Sequence, residues 1–359
     1  MNWTVCQMLN NAKRGVISSH QLFSIIYISR AVVSFTYIQA VSVGNFASDI
    51  LISYALSYVL SLLLSLPAVF CVKKGISPMD CKPLALAYAA YYVFICALTV
   101  NRFSYFAVSK MNPKISFAVI IAVVLVAVGY GAYLGLEALA RFACFCAVVL
   151  GIVIAVVVLT DVKNFDTLNF YPFFVNSRNH ILYNTLLFTA NTAQQITLLV
   201  LFRKTATKPI KAYFWGISAS YASVMLLLCF CCGVLGANAD LQAFPILTLF
   251  KMASVSDMSR LDILHISFWI FAVYLKCAVM IFCACLCIKK WEHGKKVTVL
   301  TVCALILSLV FSYCIGMDIV VSSAYVSSAY IGATLYVLLT VLVPLIYCLV
   351  KERKNAQKN

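Results

Sequence analysis

Residues 262–288 read DILHISFWIFAVYLKCAVMIFCACLCI, an apolar run long enough to cross a lipid bilayer as one helix. A membrane-spanning helix needs about 20 predominantly apolar residues. Lys276 lies deep in this run, 14 residues after Asp262 and 12 before Ile288. A charge at that depth costs roughly 2.5–3.5 kcal/mol on insertion scales and usually marks a binding site or an ion pathway. The run therefore indicates both a membrane protein and a functional residue within it.

The composition extends this interpretation to the whole chain. Of its 359 residues, 64% are hydrophobic and only 11% are charged, with a mean hydropathy of +0.99. No soluble core needs so much apolar surface, so the composition predicts a polytopic membrane protein. The apolar runs are continuous and do not alternate with polar residues, which favours helices over strands.

Ten apolar segments indicate an all-α polytopic membrane protein with about ten transmembrane helices, in a single integral membrane domain over residues 1–359. The predicted spans are 18–40, 46–71, 83–107, 115–135, 139–159, 181–202, 212–236, 262–288, 296–316 and 325–350.

Lysine and arginine are distributed unevenly between the two sides of the membrane. If the N-terminus is cytoplasmic, 18 of the 27 basic residues lie in cytoplasmic segments and seven on the opposite side. This asymmetry predicts that both termini are cytoplasmic. It also accounts for the net charge of +16, so we expect no nucleic-acid partner. The two remaining cations, Arg30 and Lys276, lie inside spans.

The ten spans divide into two halves of opposite orientation, about 18–159 and 181–350. This is the arrangement of transporters with an inverted 5+5 repeat, in which helices 1 and 6 are interrupted and the ligand binds near mid-membrane. We therefore expect a site around these interruptions, where freed backbone groups and helix dipoles hold a small zwitterion.

Polar residues in three spans are the candidates for ligand binding. A polar side chain in hydrocarbon is costly unless it pairs with another helix or faces water, so interhelical hydrogen bonding is the alternative in span six. The alternative for the span-three residue is simple packing. The predicted ligand-binding residues are Arg30, Ala31, Val33 and Ser34 in span one, Tyr91 in span three, and Phe188, Thr189 and Asn191 in span six.

The two intramembrane cations leave several roles open. Arg30 could bind a substrate carboxylate through its forked guanidinium, cap backbone carbonyls, act as a gate, or extend toward the nearer membrane surface. Lys276 could be a fixed cation that substitutes for a metal ion, take part in proton coupling, or hydrogen-bond to carbonyls. The fixed cation is the leading hypothesis for Lys276.

Other functional patterns do not occur in the sequence. The chain has no Gly-rich phosphate loop, no His-Glu-x-x-His and no paired intramembrane carboxylates, so we expect no catalytic residue, cofactor or bound metal. Most of the 16 cysteines lie within spans, where cysteine behaves as a small apolar residue.

Residues 244–255 (FPILTLFKMASV), followed by 260–264 (RLDIL), 269–271 (WIF) and Lys276, carry the most specific resemblance in the chain. Residues 17–23 (ISSHQLF) with Arg30, and residues 164–172 (NFDTLNFYP), add to it. Together they resemble the spore germination permease family, the GerAB-like B-subunits of nutrient germinant receptors in the amino acid–polyamine–organocation superfamily. The chain differs from this family at residues 31–33, Ala-Val-Val, where members commonly carry glycine.

The resemblance implies a LeuT-like fold in the inner membrane of a spore, with both termini on the spore-core side. It implies partnership with a germinant receptor A-subunit and a lipoprotein C-subunit, and binding of a small nutrient such as an amino acid. Lys276 matches the family's basic residue in span eight, close to where related transporters hold sodium. The function expected is nutrient sensing; the alternative is an amino acid transporter, proton-coupled or uncoupled.

Overall fold

The computed structural model describes residues 17–42, 48–111, 113–171, 174, 178–242, 244–253, 262–288, 292–315 and 337–356. Side chains are described over the same ranges except at 33–42, 240, 312–315 and 352–356.

The described residues are almost entirely helical. A π-helical turn, Ala107–Met111, continues the third helix, and another, Val337–Leu342, precedes the last. The α-helices in chain order are α1 (Ser19–Ser42), α2 (Asp49–Lys73), α3 (Lys82–Phe106), α4 (Phe117–Leu134), α5 (Leu136–Asp161), α6 (Arg178–Ala190), α7 (Ala193–Leu201), α8 (Pro209–Leu235), α9 (Pro245–Met252), α10 (Asp262–Cys287), α11 (His293–Ile315) and α12 (Val343–Ala356).

The helices confirm the predicted all-α membrane architecture. Within the described ranges, eight helical stretches are long and apolar enough to cross a membrane, and Val337–Lys351 is a shorter apolar helix. Long apolar segments form helices in a membrane because a helix satisfies all of its backbone hydrogen-bonding groups within the segment. The exact number of spans and the inverted repeat remain predictions.

The sixth predicted span, called helix 6 here, is formed by α6 and α7 and is interrupted as predicted. α6 ends at Ala190 and α7 begins at Ala193, with Asn191 and Thr192 forming a turn between them. The backbone N–H of Thr192 donates to Thr189 O over 2.9 Å, a tighter pairing than that of an α-helix. Asparagine and threonine are weak helix formers because their side chains compete for backbone hydrogen bonds.

The predicted interruption of helix 1 is wrong. α1 is one continuous α-helix of 24 residues from Ser19 to Ser42. Its sequence contains neither glycine nor proline, the residues that most readily open a helix, and the expected opening falls at Ala31-Val32-Val33. The transporter-type break is therefore present in only one of the two helices.

Loops predicted to share one side of the membrane share one end of the helix bundle. Ile17 N donates to Thr205 O over 2.8 Å, and Arg203 Nη2 pairs with Asp80 Oδ2 at 3.2 Å. The contacts at the opposite end are Phe174 N to Asp49 Oδ1, 2.6 Å, and Asn169 Nδ2 to Gly233 O, 2.7 Å. These pairs agree with the predicted order of crossings; which end is cytoplasmic stays a prediction.

The core lies where α10 packs against α1, α3, α4 and α5, and where α1 packs along α8. The close contact of α1 with α8 depends on Gly216. A Cβ at Gly216 would lie 3.0 Å from Ile26 Cγ2 and 3.1 Å from the backbone oxygen of Phe23. Small residues at such crossings allow two membrane helices to approach closely.

We expect Gly216→Val to lower the thermal unfolding temperature of the purified protein, because the added side chain must push α1 away from α8. Overpacking of this kind costs roughly 1–3 kcal/mol. The matched control is Gly151→Val in α5, because no atom lies within 4 Å of a Cβ built there. Equal losses of stability in the two variants would contradict the packing argument.

Candidate functional site

Arg30 lies at the centre of a four-helix contact. Its side chain, on α1, is completely buried. The guanidinium carbon lies 4.5 Å from the ring centroid of Tyr221 on α8 and 5.7 Å from that of Tyr54 on α2. Arg30 Nε also donates to Thr192 Oγ1 over 3.2 Å, at the interruption of helix 6. Two aromatic faces and a hydroxyl thus contribute to holding the cation.

A cluster of hydroxyl groups surrounds this cation. Tyr221 OH lies 3.1 Å from Thr192 Oγ1 and 3.0 Å from Ser61 Oγ, and Ser61 donates to Thr192 over 3.3 Å. Ser57 Oγ extends the cluster with a 3.4 Å bond to Tyr221 OH. Because each hydroxyl can donate and accept, these four groups can hydrogen-bond to one another.

Three members of this cluster, Ser57, Ser61 and Tyr221, were not predicted from the sequence. A signal was available in span two, where serine recurs at every fourth position and therefore lies on one helix face. All of these serines are buried, and they are Ser53, Ser57, Ser61 and Ser65. The recurrence marks the face of α2 that meets other helices, although it does not indicate which ones.

The predicted residues of helix 6 have different surroundings. The Phe188 ring is buried edge-on to Tyr54 with centroids 5.1 Å apart, so it contacts the cluster around Arg30. Thr189 Oγ1 donates to Thr185 O in its own helix over 2.7 Å. The Thr189 hydroxyl is therefore engaged locally and, of the two residues, Phe188 is the one brought to the site.

Asn191 and Gln194 present two polar atoms without hydrogen-bond partners at the interruption. Both side chains are more than nine-tenths buried. Asn191 Nδ2 and Gln194 Oε1 have no hydrogen-bond partner, whereas Gln194 Nε2 donates to Asn191 O over 3.2 Å. A buried polar group without a partner costs about 1–3 kcal/mol. The turn thus offers one free donor and one free acceptor at the depth where a ligand is expected.

The remaining predicted ligand residues are only partly described. Ala31 is buried on α1, and the side chains of Val33 and Ser34 lie outside the described residues. Tyr91 is buried on α3 with its ring centroid 5.9 Å from that of Tyr92. The ligand roles of these four residues remain predictions.

Lys276 is buried in α10 with 4% of its surface exposed. α10 packs against α1, and the cations that interact electrostatically with Lys276 include Arg30 and Arg102. In the part of the chain that the structure describes, no carboxylate forms an ion pair with it. The two cations singled out by the sequence thus lie in the same region of the core.

Across the described ranges, no group of three or more His, Cys, Asp or Glu side chains is placed to hold a metal ion. Cys283, Cys285 and Cys287 are buried in α10 among apolar neighbours.

Comparison with known proteins places this geometry in context. The fold matches a solved structure described as "Substrate-bound outward-open state of a Na+-coupled sialic acid symporter reveals a novel Na+-site", with a TM-score of 0.59, 14% sequence identity, and coverage of 91% of this chain and 78% of that chain. At this identity the likeness concerns the fold alone, and it confirms the predicted LeuT-like architecture. No curated protein matches the chain.

A family model gives the more specific result. The model described as "Spore germination protein", for the spore permeases, matches residues 16–320. The match includes Arg30, the turn at Asn191 and Lys276, and it agrees with the resemblance found in the sequence. The chain therefore belongs to the spore germination permease family of membrane proteins.

Proposed function

We propose that the chain is the B-subunit of a spore nutrient germinant receptor. It binds an amino acid near mid-membrane and signals germination through an A-subunit and a lipoprotein C-subunit. It resides in the spore inner membrane with both termini on the spore-core side. The observation that carries this proposal is the pair of buried, unpartnered polar atoms at the interruption of helix 6, Asn191 Nδ2 and Gln194 Oε1.

The two atoms are complementary to the two ends of an amino acid. Asn191 Nδ2 is a donor suited to a carboxylate, and Gln194 Oε1 is an acceptor suited to an ammonium group. Hydrogen bonds to charged groups contribute about 1.5–3 kcal/mol each, more than neutral ones. The cation of Arg30, held at the same interruption by Thr192, favours the carboxylate further.

The same turn connects the proposed ligand to three other helices. Thr192 hydrogen-bonds Arg30 of α1, Ser61 of α2 and Tyr221 of α8. A ligand that changes the geometry of the turn changes these bonds as well. A ligand that binds one conformation more tightly than another shifts the equilibrium toward the first. Partner subunits would detect this change in conformation.

Asn191→Ala is expected to weaken amino acid binding roughly tenfold or more, because it removes a hydrogen-bond donor to a charged group. The measurement is thermal stabilisation of the purified protein by a panel of amino acids. Asn184→Ala is the control, since Asn184 is also buried on α6 but lies about two turns before the interruption. If an amino acid stabilised the wild type, Asn191→Ala and Asn184→Ala equally, the binding site would not be at this turn.

The alternative is an amino acid transporter, proton-coupled or uncoupled, and the fold shared with a sodium-coupled symporter favours it. Uptake of labelled amino acids by proteoliposomes containing this chain alone distinguishes the two. The receptor proposal expects binding without uptake. Uptake that Lys276→Ala abolishes would support the transporter.

A further inference from the structure

A groove of about 640 Å³ opens between the beginnings of α1 and α8. Its wall includes Phe23 and Trp215, and its rim carries Lys208 and Lys211. Both lysines are exposed. No carboxylate occurs among the described residues that line the groove. It therefore combines an apolar interior with a positively charged edge.

Hydrogen bonds join the two segments that border the groove. Ile17 N donates to Thr205 O over 2.8 Å, and Ser19 Oγ lies 2.8 Å from Thr207 Oγ1. These bonds join the residues before α1 to the segment between α7 and α8. The groove is thus a defined cleft between two tethered segments, and its shape does not depend on a single exposed loop.

The groove lies at the beginning of an apolar helix, where lipid headgroups are expected. α8 begins at Pro209, directly after Lys208, so the lysine marks the boundary of the apolar helix. Trp215 is 63% exposed and lies six residues into α8, about 9 Å along its axis. Tryptophan at that position and lysine just outside it are typical of the interface between membrane and water.

We propose that this groove binds the headgroup of an anionic phospholipid. Lys208 and Lys211 pair with the phosphate, while Phe23 and Trp215 contact the glycerol backbone and the first methylenes of the acyl chains. The positive-inside pattern assigns this end of the bundle to the cytoplasmic side, whose leaflet carries anionic lipids. The bound lipid holds the beginning of α1 against α8. This inference does not depend on the identity of the ligand at Asn191.

The test is native mass spectrometry of the full-length protein with phosphatidylglycerol, phosphatidylcholine or free glycerol phosphate. Each lysine near an anionic lipid contributes roughly fivefold in affinity. We expect a preference of about tenfold or more for phosphatidylglycerol over phosphatidylcholine, lost in the double variant Lys208→Gln/Lys211→Gln. The matched control, Lys73→Gln/Lys74→Gln, removes the same charge at the end of α2 on the same predicted side.

A second variant tests the apolar wall independently of charge. Trp215→Ala is expected to weaken the binding of both phospholipids while keeping the preference for phosphatidylglycerol. Equal preference in the two double variants would overturn the site. Tight binding of free glycerol phosphate would show that the occupant is a soluble anion. Lysine-dependent binding of an acidic peptide, without a preference between lipids, would show that it is a protein. Either result would overturn the lipid assignment.

Discussion

Arg30→Ala is expected to lower the free energy of unfolding by roughly 3 kcal/mol or more. The substitution empties the volume of a completely buried side chain and removes the cation between the rings of Tyr54 and Tyr221. It also removes the bond to Thr192, so α1 loses this polar connection to helix 6. Thermal unfolding of the purified protein measures the effect.

Arg30→Lys separates charge from shape. Lysine keeps the charge but lacks the planar fork that stacks on tyrosine and reaches Thr192, so we expect an intermediate loss. The control is Arg141→Ala, whose side chain is 73% exposed and pairs with Glu137 on the same helix. An exposed pair of this kind contributes about 0–1 kcal/mol. A loss at Arg30 no greater than that at Arg141 would contradict the proposed four-helix contact.

Lys276→Met is expected to weaken the response to the ligand while leaving the stability of the protein nearly unchanged. Methionine has a similar volume and removes the cost of burying a charge, which offsets the lost electrostatic interactions. We propose that Lys276 is a built-in cation that substitutes for a metal ion beside α1. Without it, we expect the ligand concentration for half-maximal thermal stabilisation to rise at least about tenfold, the effect of 1.4 kcal/mol.

Sodium distinguishes this role from a purely structural one. Lys276→Ala leaves space where the ammonium was, so we expect sodium chloride, but not choline chloride, to restore part of its ligand response. The wild-type response is expected to be the same in both salts. Lys251→Met, an exposed lysine on α9, is the control for loss of charge. A wild-type ligand response in Lys276→Met would exclude the built-in cation.

Most of the fold could be predicted because apolar length alone determines where a helix crosses a membrane. The predicted span 262–288 corresponds to α10 at Asp262–Cys287, and the predicted span 46–71 corresponds to α2 at Asp49–Lys73. Both interruptions follow from analogy with transporters. Asn191-Thr192 supplies a local reason for the one in helix 6, because it brings polar, weakly helical residues into an apolar run, whereas Ala31-Val32-Val33 supplies none in helix 1.

The site could be predicted only in part. A buried cation is visible in a sequence because it is costly, so Arg30 and Lys276 could be singled out. Their neighbours could not, because the rotation of each helix about its axis decides which side chains meet. Tyr54 and Tyr221 are ordinary tyrosines in the sequence, and only the packing of α2 against α8 places them beside Arg30.

The position of α7 has a mechanical consequence. This helix has nine residues, about 14 Å in length, and extends from the turn at Thr192 to Phe202–Lys204 at the bundle end. Directly after this segment, Thr205 O accepts a hydrogen bond from the backbone N–H of Ile17, which lies two residues before α1. A small tilt of α7 at the turn would therefore move its other end, at the end of the helix bundle. Movement at the turn would thus displace Ile17 and the beginning of α1 at this end of the bundle.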